Sequence, residues 1–392
     1  MPKIEIQVSS SILEWIEKQL HIENVPGILI DQVEEWKKGD VIPTINQIEQ
    51  FSKITHIPFG YFFLSEPPKE DIELLEFRTV ESKMLSHPSR DLIDTINDLE
   101  NIQDWMSEYI KNSGGGKVEY VGSISKNLSI SEAADIIRKD LGIQHNWFEK
   151  VGNVKESFKL IRTSLEKCGI LVMLNGIVGQ NTHRKLNIEE FRALAILNEY
   201  APVIFINSND SENAKLFSLI HEATHIWYGE NDFYNDRKGT ENHVSNTESI
   251  CNAVSAEIIA PQELFDEVWK KWNLGTDDDA TFDKLYKISR YFKCGVIVIA
   301  RKALDRNYID NKLYSEIVND TIRAYNEYQN RKKSDGGNYY ATVANRYDNR
   351  FLRTLSLSVM EGKTLHNEAY RLTKTSRKTF ETLIDTIGGV SI

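Results

Sequence analysis

Residues 221–225 read His-Glu-Ala-Thr-His and form the segment of the chain best suited to metal chemistry. Side chains four residues apart lie on one face of an α-helix, one turn above the other, so His221 and His225 can reach the same metal ion. Glu222 lies close to such an ion without needing to bind it, and there it can take a proton from a water molecule. The pattern therefore predicts an HExxH zinc-dependent peptidase with Glu222 as its catalytic base.

The flanking sequence predicts that the helix carrying this motif faces a core. Residues 203–206 are an apolar run typical of a buried strand, and Asp210 or Ser211 can cap the helix that follows. From 212 to 228, residues at helical spacing fall on one side: Ala214, Phe217, Ser218, His221, His225 and Tyr228. Two histidines that face a core need partners or a metal. The alternative is a pair of histidines on an exposed helix face, which would have no function.

A catalytic zinc ion usually has three protein ligands, and Glu248 is the candidate for the third. A second helix, predicted to start at Asn246 or Thr247 and to end before Pro261, places several residues on one face: Glu248, Asn252, Ser255, Ala256 and Ile259. A carboxylate aimed at an interior is costly unless a cation lies nearby. Two alternatives are a capping role for Glu248 and a ligand role for His243, which we predict to lie in the polar loop between the helices.

Four segments around these residues resemble the ImmA/IrrE family of metallo-endopeptidases. They are 191–193, 201–207, 217–227 and 248–261, and the likeness extends from about Leu160 to Trp272. The resemblance implies that His221, His225 and Glu248 bind Zn²⁺ and that Glu222 is the general base. Many relatives have Leu-Gly or Leu-Ala where this chain has Ala223-Thr224, and these small residues also fit a packed helix.

The family resemblance also implies a protein substrate. Members typically act on DNA-binding regulators, and many belong to prophages, mobile elements or toxin–antitoxin-like pairs. We therefore predict a zinc endopeptidase that cleaves a DNA-binding repressor, or an antitoxin or toxin partner, in a prophage, stress-response or toxin–antitoxin-like system. A buried donor must stabilise the oxyanion of the reaction, and the candidates in this region are His183, Arg192 and Tyr228. The alternative function is a non-proteolytic transcriptional regulator or toxin–antitoxin component whose zinc site is structural or inactive.

Composition indicates a water-soluble protein of two or three domains. The chain has 392 residues, 41% hydrophobic and 27% charged, which is ordinary for globular proteins. It contains no apolar run of about 18 residues, and its first residues lack the apolar core of a secretory signal. The three cysteines form no CxxC pair, and neither a GxGxxG nor a P-loop motif occurs. We predict a cytoplasmic location, no membrane association and no nucleotide chemistry.

The elements predict an α+β fold that is predominantly helical. A zincin-like peptidase core, with a small sheet packed on the metal-binding helices, occupies 151–300, between helical N- and C-terminal domains. Residues 1–68 resemble a helix-turn-helix domain of the phage-repressor (XRE) type, and 69–150 are a helical connection. The N-terminal unit is acidic and short, so we predict a degenerate module for protein contact or internal packing rather than for DNA binding.

Residues 301–392 are predicted to form a basic helical domain. They hold 16 Lys and Arg against 11 Asp and Glu, a charge of +5 that leaves −16 for residues 1–300. Three short helices are predicted at its end, over 351–361, 365–372 and 376–387. If any part of the chain binds DNA, electrostatics favour this one. The alternative is a solvated charged face with no partner.

Overall fold

The computed structural model describes residues 4–22, 27–68, 88–229, 241–272, 278–331 and 338–388. These ranges contain 16 α-helices and five β-strands. The expectation of an α+β fold that is predominantly helical is therefore confirmed. No helix in the described ranges is long and apolar enough to cross a membrane.

The N-terminal helices have a core of their own. They are α1 (Ser10–Ile22), α2 (Gly27–Lys38) and α3 (Ile45–Thr55), followed by a 3₁₀ turn at Phe59–Phe63. Thr44 caps α3 in a reciprocal arrangement with Gln47, which fixes the start of that helix. The rings of Trp36 and Phe51 lie 5.2 Å apart between α2 and α3. The N-terminal region is helical, as predicted, and a helix-turn-helix role for it stays a prediction.

Three helices precede the sheet: α4 (Arg90–Asn112), α5 (Ile130–Asp140) and α6 (Val154–Cys168). The strands are β1 (Leu171–Asn175), β2 (Ile177–Val178), β3 (Asn181–Lys185), β4 (Ala193–Ile196) and β5 (Val203–Asn207). The main sheet has the order β1-β5-β4, with β1 parallel and β4 antiparallel to β5, and β2 pairs with β3 in a separate hairpin. The apolar run at 203–206, predicted to be a buried strand, lies in β5.

Helices cover both faces of the main sheet. Successive side chains of a strand point to opposite faces, so Ile204 and Ile206 of β5 enter one apolar core and Val203 and Phe205 enter the other. The first core contains α7 (Glu212–Tyr228), α8 (Glu241–Ile259), α9 (Gln262–Lys271), α10 (Asp278–Phe292) and α11 (Val296–Asp305), together with the start of α12 (Asn311–Arg331). The predicted motif helix α7 thus lies directly on the sheet.

The second core joins α4 to the four C-terminal helices. These are α13 (Tyr339–Arg346), α14 (Asn349–Met360), α15 (His366–Thr373) and α16 (Arg377–Thr386). The three helices predicted at the end of the chain are therefore confirmed as α14 to α16. Leu171 and Met173 of β1 contribute to the same core, so the C-terminal helices rest on the face of the sheet opposite α7.

A buried polar cluster anchors the C-terminal helices to the edge of the sheet. Arg162 on α6 donates to the carbonyls of Val172 (3.1 Å) and Tyr347 (2.7 Å), and to the Glu166 carboxylate (2.8 Å). Asp348 caps α14 and accepts the Val172 N–H. Burial and the neighbouring Asp348 carboxylate raise the pKa of Glu166 to about 7, although Arg162 opposes this shift. Burial also raises the pKa of Asp348, so this pair of carboxyls retains a proton to unusually high pH.

Candidate metal centre

Local signals fix both ends of α7. The Ser211 hydroxyl accepts the Ala214 N–H at the first turn, as predicted. Gly229 ends the helix with a φ of 62°, and its N–H donates to the His225 carbonyl. A Cβ at Gly229 would lie 2.3 Å from the Cα of Gly122, so both the positive φ and this close approach require glycine. The loop around Gly122 thereby packs on the C-terminal end of the motif helix.

Three side chains converge beside α7 and α8. The Nε2 atoms of His221 and His225 are 3.1 Å apart, and each lies 3.5 Å from one carboxylate oxygen of Glu248. All three are well buried, with side-chain exposures of 9%, 8% and 13% respectively. Candidate metal ligands from His221, His225 and Glu248 all lie within 4.8 Å of one another. The structure therefore brings together the three residues that the sequence predicted.

The spacing fits a tetrahedral zinc site. Zinc binds histidine nitrogen and carboxylate oxygen at about 2.0–2.2 Å in tetrahedral geometry, which places neighbouring ligand atoms about 3.3–3.5 Å apart. The separations of 3.1, 3.5 and 3.5 Å are close to that edge length. Two imidazoles and one carboxylate also form the ligand set of many catalytic zinc sites, which keep a fourth position for water. The residues present therefore fit the ion.

The α8 helix carries Glu248 at the edge of its buried side. Thr247, Cys251 and Val254 define the centre of that side, and Glu248 is rotated about 100° from Thr247. Asn252, predicted to face inward with Glu248, is exposed because its position is rotated a further 40° or so toward solvent. That prediction was wrong. The prediction of a loop at His243 was also wrong, since α8 begins at Glu241, and the His243 side chain lies outside the described residues.

The structure adds contacts behind the ligands that the sequence analysis missed. The Cys251 Sγ lies 3.5 Å from Nδ1 of His225, the ring nitrogen remote from the convergence point. Cys251 follows Glu248 by three residues, so helical spacing was the available signal. Thr224 and Ser255 join α7 to α8 through a buried hydroxyl contact of 3.2 Å. Partners of this kind orient metal-binding histidines.

Lys126 is a second residue that the sequence analysis missed. Its Nζ donates to the Thr247 hydroxyl at 2.7 Å, which places a cation beside the residue that precedes Glu248. The two residues are 121 positions apart in the chain, and no motif connects them. Only the fold reveals this contact.

The other predicted site residues lie at different distances from the cluster. Glu222 is buried on α7, and Tyr228 is buried at the end of the same helix, seven residues after His221 and so on the same side. Arg192 pairs with Asp210 at 2.9 Å, near the N-terminal end of α7. That end of the helix is about 15 Å from His221 along the helix axis. His183 is exposed on β3, outside the main sheet. Of the three candidate oxyanion donors, Tyr228 is the one on the motif helix.

Comparison with known families agrees with this geometry. Residues 165–304 match the family model described as the IrrE N-terminal-like domain, a peptidase model. They resemble the peptidase domain of the ImmA/IrrE family. The matched segment runs from the end of α6 to α11 and includes both motif helices. The family implies a metallopeptidase.

A second match covers the end of the chain. Residues 347–386, which contain α14 to α16, match a domain of unknown function, DUF8813. No curated protein matches the chain significantly. The segment similar to the peptidase domain is thus followed along the chain by a helical segment that matches a different family model.

Proposed function

We propose that this ImmA/IrrE-family chain is a zinc-dependent endopeptidase. The observation that carries the proposal is the convergence of His221, His225 and Glu248 at the ligand spacing of a tetrahedral zinc site. A bound zinc ion would lower the pKa of water toward 7 and polarise the scissile carbonyl. The buried positions of the three ligands exclude most bulk water from this point, which strengthens every charge interaction there.

Glu222 is the proposed general base. It follows His221 directly on a helix that is buried and capped at both ends, so its position relative to the ligands is fixed by the backbone. Its carboxylate accepts a proton from the attacking water and donates it to the leaving amine. Tyr228, on the same side of α7, is the proposed donor to the oxyanion.

The outer edge of β4 supports an extended peptide as substrate. β4 is an edge strand of the main sheet, and no other described strand pairs with its outer side. The Asn207 N–H donates to the Arg192 carbonyl, which pairs Arg192 with β5. Because every second residue of an antiparallel strand bonds to its partner, Leu194 and Ile196 also bond to β5. The backbone groups of Ala193 and Ala195 therefore point outward. Both alanines are half-buried and face the core that contains α7. An unfolded segment of a protein can add to this edge as a further strand.

We propose a protein substrate of the kind that the family resemblance implies: a DNA-binding repressor, or an antitoxin or toxin partner. The test uses Glu222→Gln, which preserves the shape of the side chain but cannot act as a base. Purified wild-type and variant proteins are incubated with the DNA-binding regulators encoded by the same genome, and cleavage is followed by mass spectrometry. Zinc content is measured in parallel.

Glu212→Gln is the matched control, because Glu212 lies on the same helix, is partly exposed and pairs with Lys215. We expect full zinc content in all three proteins and cleavage by wild type and Glu212→Gln only. A wild-type cleavage rate in Glu222→Gln would refute the mechanism. Zinc binding without cleavage of any regulator by the wild type would favour the non-proteolytic alternative.

A further inference from the structure

The three C-terminal helices α14 to α16 contain a feature that the peptidase chemistry does not use. α15 has eight residues and α16 has ten, and three residues join them: Lys374, Thr375 and Ser376. Lys374 adopts a left-handed conformation with a φ of 50°, which turns the chain sharply between the helices. Ser376 caps α16 by accepting the Thr379 N–H. Two short helices joined by a tight turn of three or four residues are the signature of a helix-turn-helix unit.

The packing of this unit also matches a helix-turn-helix. Ala369 and Thr373 of α15 are completely buried, and so are Phe380 and Leu383 of α16. The rings of Tyr370 and Phe380 meet edge to face at 5.6 Å and hold the two helices together. α14 completes the core as a third helix through Leu352, Leu355 and Val359. The turn itself is fixed to the body of the protein, since Lys374 Nζ lies 2.7 Å from the Asp98 carboxylate of α4.

This docking leaves one face of α16 open to solvent. The residues on it are polar: Ser376, Arg377, Lys378, Glu381, Thr382 and Asp385. The Arg377 side chain is 80% exposed and pairs with Glu381 at 2.9 Å. Arg371 of α15 is exposed as well. In a helix-turn-helix, residues near the start of the second helix contact base edges, and flanking cations contact phosphates.

Charge separates this unit from the rest of the chain. Residues 349–386 hold seven Lys and Arg against four Asp and Glu, whereas residues 1–300 carry a net charge of −16. The N-terminal unit, which resembles a helix-turn-helix domain, belongs to that acidic part. Association with the DNA backbone depends on local cations that displace counterions. Lys374 pairs with Asp98, so six Lys and Arg remain against the four carboxylates of this segment. The tail therefore keeps an excess of cations for the DNA backbone, which the N-terminal unit lacks.

We propose that α14 to α16 form a helix-turn-helix that binds duplex DNA, with α16 in the major groove. Arg377 and Lys378 contact guanine edges or phosphates, and Arg371 contacts the backbone. Glu381 and Asp385 lie on the same face, where a carboxylate can accept a hydrogen bond from cytosine N4 and repels phosphates. The unit therefore binds DNA weakly without a matching sequence and gains affinity from base contacts. This proposal does not depend on peptidase activity.

The test measures DNA binding by the full chain. A fluorescein-labelled random-sequence duplex of about three helical turns is titrated, and anisotropy is recorded between about 50 and 200 mM NaCl. The variant Arg371→Ala/Arg377→Ala/Lys378→Ala removes three cations from the proposed surface. The control Lys37→Ala/Lys38→Ala/Lys53→Ala removes three exposed cations from the N-terminal helices. Both variants change net charge equally, and thermal unfolding verifies that both remain folded.

We expect micromolar binding by the wild type at the lowest salt, as is usual for DNA without a specific site. The C-terminal variant should bind DNA about 10- to 100-fold more weakly. The slope of its log affinity against log salt concentration should become shallower by about one for each phosphate contact that is lost. The N-terminal control should bind as the wild type does. Equal binding by wild type and the C-terminal variant would overturn the proposal. An equal loss of DNA affinity in the N-terminal control would also overturn it. The absence of wild-type binding at low salt would overturn it as well, and would indicate a protein partner for the exposed face of α16.

Discussion

The cluster of Arg162, Glu166 and Asp348 predicts how the stability of this protein depends on pH. Glu166 has a side chain that is 13% exposed, and its pKa is raised from 4.5 to about 7 by burial and by the Asp348 carboxylate. Between these two values the folded protein binds more protons at this site than the unfolded chain does. The free energy of unfolding must therefore fall as the pH rises through this interval.

The interval sets the size of the effect. Each pH unit corresponds to 1.36 kcal/mol, so the range from 4.5 to about 7 amounts to roughly 3 kcal/mol from this site. Glu166→Gln imitates the protonated carboxyl, since it still accepts from Arg162 and can donate to Asp348. We expect the variant to match the wild type at about pH 4.5. At about pH 8 we expect it to be more stable by 2–3 kcal/mol or so.

Urea unfolding at a series of pH values measures this difference. Trp105 is a suitable fluorescent reporter because its ring lies 5.7 Å from that of Phe351 in α14. Glu263→Gln, at an exposed position on α9, controls for the loss of one charge. Only the difference between variant and wild type is compared, so titrating groups that do not interact with Glu166 cancel. A difference that is independent of pH, or one that favours the wild type as the pH rises, would refute the reasoning.

Two further predictions concern a contact behind the metal ligands and a buried ion pair between α8 and α11. Cys251→Ala removes the contact with Nδ1 of His225 and should weaken zinc affinity about 10-fold, measured in competition with a chromophoric chelator. Cys251→Ser should recover most of the lost affinity. Equal affinities in all three proteins would show that the contact does not orient the ring. The Glu257 carboxylate is 8% exposed and lies 2.8 Å from Lys302 Nζ. Lys302→Ala leaves this buried carboxylate without its cation and should lower the free energy of unfolding by about 3–5 kcal/mol. Lys302→Met combined with Glu257→Gln should recover at least half of that loss in urea unfolding, and a loss in the single variant below about 1 kcal/mol would contradict this account.

The features that could be predicted from the sequence are those set by neighbours along the chain. The motif helix, its serine cap and its glycine end all follow from residues 211–229, and the three tail helices follow from local periodicity. Glu248 could be predicted because a carboxylate on the buried side of a helix needs a cation. Contacts between distant segments could not be predicted. No pattern connects Lys126 with Thr247, or Arg162 with the Tyr347 carbonyl 185 residues later.

One lysine in the tail shows how tertiary contacts change the meaning of a charge. Lys374 is among the 16 Lys and Arg that make the predicted C-terminal domain basic. In the structure its ammonium pairs with Asp98 on α4, so it docks the turn and does not contribute a cation to the open face. The prediction of a basic helical tail holds. The assignment of individual cations needed the position of α4.

The two proposed activities lie on opposite faces of one sheet of three strands. β5 contributes Ile204 and Ile206 to the core beneath α7 and the metal ligands, and Val203 and Phe205 to the core that supports α14 to α16. Arg162 on α6 adds a polar link, because α6 packs beside α7 while its guanidinium holds the start of α14 through Tyr347. These strands and this link are two routes by which DNA bound to the tail would influence the metal centre. Since a coupling free energy acts equally in both directions, the same contacts would carry the effect of zinc on DNA affinity.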